Sequence, residues 1–427
     1  MRVLVADPRV GIATVPEEVA MGAALEGMRI LDMTQYEAGT SATQALAWLG
    51  ADVVKIESPS GDPGRLSFTR GTPDSQYFLN YNSNKRSVVL DLKTARGREL
   101  FLALVPRFDV FIENYGPGVI ESLDIGYERL SALNPRLLYC RIKGFGLDGP
   151  YAPYKCFDGL AQAMAGAFSV TGEPDGPPTK PGPTVADTGT GMQAALAIAA
   201  AWAQRQRTGR GQHIEISMQE AMSMFMRTVG VADWAQHPAM RRSHRAGVPS
   251  GIYPCAPGGP NDYIYMLIGT TRMWDQLCSA MGRDDLLVDP RFQTAAARRE
   301  HADVLDEEIA QWSRQRDKHE AMRVLAETGV AASAVFDTMD VFHDPHLHAR
   351  GFVQQVEHPT EGTVTLLGSP FRMSDSHVEL RPAPVLGADT EAVLRAELGI
   401  DDRELSALRE AGAIGARRRD RASSAAG

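Results

Sequence analysis

The chain has 427 residues, 44% hydrophobic and 23% charged, the composition of a globular protein of two or three compact units, which excludes wholesale disorder. With 44 Lys+Arg against 53 Asp+Glu, the formal net charge of −9 excludes a nucleic-acid binder held by overall positive charge. No apolar run approaches the roughly 20 residues of a membrane span, and the N-terminus, with Asp7, Glu17 and Glu18, has no secretory core, so a cytoplasmic protein without a membrane partner is expected.

Residues 1–26 read as an N-terminal extension before the first strand, MRILDM at 28–33. A loop, a helix near 41–49 and a strand at 53–56 follow. The rhythm repeats through a strand at 87–92, a helix at 95–104, a strand at 110–113, a helical region to Leu133 and a strand at 137–142. Alternating strands and helices mean βαβ units, so 27–234 is predicted to be a large α/β domain, Rossmann-like in its mostly parallel sheet. A long helix is predicted from Thr188 to about Arg207, N-capped by Asp187 and stopped by Thr-Gly-Arg-Gly at 208–211. A strand at 214–217 and a second long helix at 218–234 come next. Residues 235–250, polar and rich in Pro, Gly and Arg, read as a linker. A smaller α+β domain is expected over 251–345, with a strand at 263–268 and helices near 272–281, 302–315 and 317–328. Residues 346–427 read as a segment returning to the large domain, with a strand at 364–367, a helix at 390–398 and a frayed tail.

Several chemistries are missing. The loop after the first strand, Thr34 to Thr40, has no GxGxxG, and neither GxxxxGK[ST] nor GxSxG occurs. Cys140, Cys156, Cys255 and Cys278 have no CxxC spacing, which leaves no zinc, redox or disulfide framework. No His precedes His213, so a His-dependent nucleophile or metal site cannot lie in the first 212 residues. Carboxylates remain. Asp187, in Val185-Ala186-Asp187-Thr188-Gly189-Thr190-Gly191, is either an ordinary N-cap or a carboxylate kept ionised by a helix N-terminus and able to attack a thioester carbonyl. The glycines beside it would let a bulky acyl group approach the backbone.

The blocks LDMTQYEAG (31–39), LGADVVKIE (49–57), FLNYNSNKRSVVLDLKT (78–94), VFIENYGPG (110–118), NPRLLYCRIKGFG (134–146), FDGLAQAMAGAFSVTG (157–172), ADTGTGM (186–192) and RTGRGQHIEISMQEAM (207–222) stand in one order. In this the chain resembles the family III CoA-transferases, typified by formyl-CoA transferase, from about Gly27 to about Leu398. The resemblance implies an intertwined, ring-like homodimer acting on an acyl-CoA and a small carboxylic acid. Coenzyme A thioester would be substrate, with no permanently bound cofactor and no metal. It puts the nucleophile on Asp187 and implies aspartyl anhydride and aspartyl-CoA thioester intermediates. Glu37 and Ala38 would border the thioester, with Tyr36, Phe157 and Asp158 at the acyl site. Leu90, Asp91, Leu92 and Lys93, then Asn114, Tyr115 and Gly116, would line the path of coenzyme A, with Lys155 and Cys156 flanking its acyl end. Lys85 and Arg86 are either phosphate contacts or structural charges. Trp234 and Tyr253 either shape the acyl pocket or belong to the core.

Three departures stand out. Glu37 occupies a position that is Gln in formyl-CoA transferase; an ionised carboxylate cannot donate to an oxyanion, so Glu37 must be protonated, rotated away or bound to a substrate donor. Ser58 and Ser122 replace two CoA-contacting Arg residues. Gly247-Val248-Pro249-Ser250-Gly251 replaces a run of glycines that forms a mobile lid. Membership of the family survives these changes, but the formyl/oxalate substrate pair does not follow from it. Two other readings stay open: an α-methylacyl-CoA racemase using Asp158, for which the upstream His is missing, and a catalytically silent CoA-binding paralogue.

Overall fold

A computed structural model describes residues 22–68, 72, 74–230 and 247–415. Most of the N-terminal extension, most of the linker, Trp234 and the basic tail lie outside them. The first half builds β1 (Arg29–Met33), α1 (Ala38–Trp48), β2 (Asp52–Glu57), α2 (Gln76–Tyr81), β3 (Arg86–Val89), α3 (Ala95–Leu104), β4 (Val110–Glu113), α4 (Val119–Ser122), α5 (Tyr127–Leu133) and β5 (Leu138–Lys143). Then come α6 (Asp158–Met164), α7 (Val185–Thr208), β6 (Gln212–Ser217) and α8 (Met218–Ser223). The six strands form one sheet in the order β3-β2-β1-β4-β5-β6, every pair parallel.

Alternation along the strands explains why both faces are covered. Leu31, Met33, Val54, Ile56, Phe111 and Tyr139 point into one core with α3. Ile30, Val53, Val110, Ile112, Leu138 and Cys140 point into the other with α1 and α7. The first core is completed from far along the chain: Val393 and Leu394 of the helix Thr390–Leu398, and Leu405 and Leu408 of the helix Asp402–Glu410, are packed into it.

Two expected helices differ from the structure. The 218–234 helix is broken: α8 ends at Ser223, a 3-10 turn takes Met224–Met226 and a short helix takes Arg227–Gly230, with residues 231–246 outside the described region. α7 begins three residues before Thr188, so Asp187 lies in its first turn and Thr184 takes the N-cap position. The predicted strand at 87–92 ends at Val89, because Leu90 leaves β3 to bridge Ile414.

A third core surrounds an antiparallel sheet of β7 (Gly251–Pro254), β8 (Tyr263–Leu267) and β9 (Ala331–Ala334). Tyr253 belongs to it: its ring is buried and its hydroxyl donates to the Pro249 carbonyl or Asp306, 2.8 Å from each, so it is core and not acyl pocket. A hairpin of β10 (Val353–His358) and β11 (Gly362–Leu367) precedes the return to the large sheet. Among the described residues no helix is long and apolar enough to cross a membrane.

Candidate active site

The strand order reverses direction between β1 and β4, so the loops leaving their carboxyl ends diverge and leave a crevice. Asn114 ties the two loops together. Its side-chain oxygen accepts from Gln35 N–H and its amide donates to the Gln35 carbonyl, both at 2.8 Å. Tyr36 has a left-handed backbone (φ 57°), unusual for an aromatic residue, and its N–H donates to Asp62 at 3.2 Å. Asp62 is itself held by Lys55 at 2.9 Å. A cleft of about 290 Å³ opens here, lined among others by Tyr36, Glu37, Ala38, Asn114, Tyr115, Gly116, Lys155, Cys156, Phe157 and Asp187. Residues from six separate stretches of sequence therefore meet in one place.

Asp187 enters this cleft from the first turn of α7. No hydrogen-bond donor among the described residues is paired with its carboxylate. Burial, with the nearby negative charges of Glu37 and Asp158, pushes it up to about 8. Burial and like charge therefore act against the expectation of a carboxylate kept ionised by the helix end. The N-terminal amides are satisfied by another residue. Asp158 Oδ1 accepts from the N–H groups of Ala186 at 3.0 Å and Asp187 at 3.3 Å, while its Oδ2 accepts from Gln162 at 2.7 Å. Asp158 thus caps α7 from outside. It does not line the cleft.

Thr184 makes no cap of its own because its hydroxyl points elsewhere. Glu37 Oε1 accepts from Thr184 Oγ1 at 2.5 Å and from Thr188 Oγ1 at 2.7 Å. The Tyr81 hydroxyl, pushed up by burial and by the Glu37 charge, stays protonated and faces the same carboxylate. The donors that hold Glu37 belong to the protein and not to a substrate, which none of the three expected states provided for; the residue is buried (2% exposed) yet lines the cleft. Thr184, Thr188 and Tyr81 had no signal in the sequence: two are ordinary residues around the start of a helix, and the third lies more than 100 positions away.

The glycines after Asp187 do not line the cleft. A Cβ on Gly191 would stand 2.5 Å from the Ala38 carbonyl oxygen and 2.6 Å from Ser41 Oγ, and one on Gly189 would stand 2.6 Å from the Phe225 ring. They allow α7 to press on α1 and on the segment after α8. Tyr36 and Phe157 meet edge to face, ring centroids 6.1 Å apart, and form an aromatic wall. Cys156 is pushed up to about 11 by burial and by the Asp187 charge, so its thiol is un-ionised at neutral pH.

Four of the expected residues lie apart from this cleft. Leu90 and Leu92 are buried in the core of the large sheet, and Asp91 with Thr94 borders a separate surface cleft closed by Arg409 and Gly412. Lys93 is exposed on the same turn. Lys85 is enclosed, its ammonium within 3.1 Å of Asp32, Thr40 O and Asn82, and Arg86 grips Asp52 through two nitrogens. Both are structural charges and neither is a free phosphate contact.

A parallel sheet ordered 3-2-1-4-5-6 with a ligand cleft at its switch point defines a doubly wound α/β protein. The chain belongs to CoA-transferase family III, whose profile matches residues 25–390, and it is an enzyme of that class. It is 40% identical over 409 residues to formyl-CoA:oxalate CoA-transferase of Streptomyces coelicolor, covering 92% of this chain and 99% of that protein. The Escherichia coli O157:H7 protein of the same name is 37% identical over 419 residues, covering 92% of this chain and all of that one. Among solved structures, a CAIB/BAIF family protein from Brucella suis superposes with a TM-score of 0.79 at 34% identity, covering 88% of this chain and 100% of that one. The hypothetical protein Rv3272 from Mycobacterium tuberculosis gives 0.75 at 28% identity, with coverage of 87% and 99%.

Proposed function

We propose that this enzyme moves coenzyme A from an acyl-CoA to a free carboxylic acid, with Asp187 as the nucleophile. The observation that carries the reading is the position of Asp187: a carboxylate with no hydrogen-bond donor among the described residues, at the start of α7, opening on the switch-point cleft. Its ionised oxygen attacks the thioester carbonyl, the C–S bond breaks and CoA thiolate leaves, forming a mixed anhydride. The thiolate then attacks the Asp187 carbonyl and the first acid departs as a carboxylate. The incoming acid reverses both steps. Each step exchanges one acyl bond for another, so no proton or electron is left over. The chain's part is to hold the nucleophile poorly solvated and fixed in direction, which Asp158 does by capping α7.

Lys155, Asn114, Tyr115 and Gly116 surround the path by which the pantetheine arm would reach Asp187, and Tyr36 and Phe157 flank the acyl end. The Leu90–Lys93 turn, beside its own surface cleft, is proposed to meet the adenosine end. A homodimer and a cytoplasmic location belong to the same reading. A racemase needs two proton-transfer groups facing one carbon; Asp158 is engaged by two amides and Gln162, and no His among the described residues lines the cleft.

Incubation with an acyl-CoA followed by hydroxylamine and peptide mass analysis should place the adduct on Asp187. Asp187→Ala should abolish turnover while CoA affinity changes by less than roughly tenfold, about 1.4 kcal/mol. Near-normal rates in that variant, or exchange of the α-proton with D₂O without any adduct, would replace this reading.

A further inference from the structure

We propose that Glu37, clamped by Thr184 and Thr188, is the specificity-determining residue of the acyl site, and that it restricts the site to monocarboxylic acids with an uncharged tail. The inference rests on Asp187 being the nucleophile and goes further by naming the substrate class. Glu37 is not free to turn out of the way. Its Oε1 accepts two threonine hydroxyls at 2.5 and 2.7 Å, from residues three before and one after Asp187 on the same helix. It is fixed beside the nucleophile, and it lines the cleft. Two hydroxyl donors on one oxygen fix the direction of the Glu37 carboxyl group beside Asp187. The charges acting on Asp187 are Glu37 and Asp158, both negative.

Among the described residues, three lysines stand in or near the cleft. Lys143 donates to Glu113 at 2.9 Å and to the Tyr115 carbonyl at 2.6 Å, Lys180 stands 4.0 Å from Asp158, and Lys155 is exposed on the rim. On the acyl side the wall is aromatic, with Tyr36 and Phe157 38% and 58% exposed and meeting edge to face. A second carboxylate on the acyl group would stand between the fixed Glu37 carboxyl group and two aromatic rings. A neutral tail meets rings and no penalty.

The test uses acids matched in length. Initial rates with butyrate and succinate, taken from one CoA donor, give a ratio of kcat/KM that does not depend on how much of the sample is folded. The full-length enzyme should favour butyrate by at least about tenfold, since like charges set side by side carry a large penalty. Glu37→Gln should cut that preference by at least about tenfold, and Thr188→Val, which removes one clamp and keeps the shape, should move it the same way by less. A wild-type enzyme that uses succinate as well as butyrate, or a Glu37→Gln enzyme with an unchanged ratio, overturns the proposal. Mass analysis of Asp187 after mixing with butyryl-CoA or succinyl-CoA separates the two failures. An adduct that forms equally from both sinks the specificity role and leaves the nucleophile standing. No adduct from either sinks the nucleophile and the inference with it.

Discussion

Asp187 is a carboxylate among carboxylates, and its chemistry follows from that. Pushed up to about 8 by burial, Glu37 and Asp158, it holds its proton below that pH and, as the nucleophile we propose, would act as the anion above it. Adduct formation in the free enzyme, followed by single-turnover mass analysis from pH 6 to 9.5, should therefore rise with pH through a midpoint near 8. Removing the Glu37 charge in Glu37→Gln should lower that midpoint. A flat profile, or a midpoint near 4 in the wild type, would mean that the cleft is wetter than its burial implies. The same shift has a cost in stability. Between the ordinary value of 3.8 and about 8 the native state keeps a proton that the unfolded chain releases, so this residue makes the fold less stable as pH rises through that window. A site that is unfavourable for the fold is the expected trade at a nucleophile. Asp187 could be picked out from the sequence because its block stands in the family's order; its proton affinity could not, because both neighbouring charges come from distant residues.

At the scale of elements, the crossing of α1 and α7 sets the distance between Glu37 and Asp187, since Glu37 is the residue before α1 and Asp187 lies in the first turn of α7. Gly191 is the contact that permits it. Gly191→Ala must push α1 outward against backbone atoms, so we expect a loss of about 1–3 kcal/mol in denaturant melts together with a fall in turnover. Unchanged stability would show that the crossing can give way. The cap of α7 is a second control. Asp158→Ala leaves the Ala186 and Asp187 amides without their partner and should cost about 1–2 kcal/mol, with turnover falling and adduct chemistry still at Asp187. Abolished α-proton exchange with intact transferase activity would instead make Asp158 a proton-transfer group. The sequence misplaced this helix start by three residues: Asp before Thr-Gly-Thr-Gly has the form of an N-cap, but the cap is an Asp 29 residues upstream, and glycines read as room for a ligand are room for a helix.

Across the whole molecule, buried charges tie β1, β2 and the loop after β2 to the residue that precedes β3. Lys85 meets Asp32 at 3.1 Å, Lys55 meets Asp62 at 2.9 Å, and Arg65 joins Glu57 and Asp74, each at 2.8 Å. Asp32 is buried, which opposes its charge, yet Lys85 and Lys55 bring it down to about 2. Such a network adds little net stability when complete and costs heavily when one member is lost. Lys85→Met should destabilise the protein by about 3–5 kcal/mol in urea melts and leave Asp32 to take up a proton. A change below about 1 kcal/mol would mean that the network relaxes around the gap. Because Asp62 in this network also receives the Tyr36 N–H, the charges hold the left-handed turn that presents the aromatic wall.

The alternation of short apolar runs with helical stretches determined the α/β class, and the ordered blocks from LDMTQYEAG to SMQEAM determined the family, because both are local patterns written along one dimension. The strand order was decided only in three dimensions, and with it the meeting of Tyr36, Asn114, Phe157 and Asp187 at one switch point. So were the partners of Glu37, 147 and 151 positions away. Local periodicity records which face of an element is buried. It carries no record of which distant hydroxyl will satisfy a buried carboxylate, since that depends on how close two helices can approach.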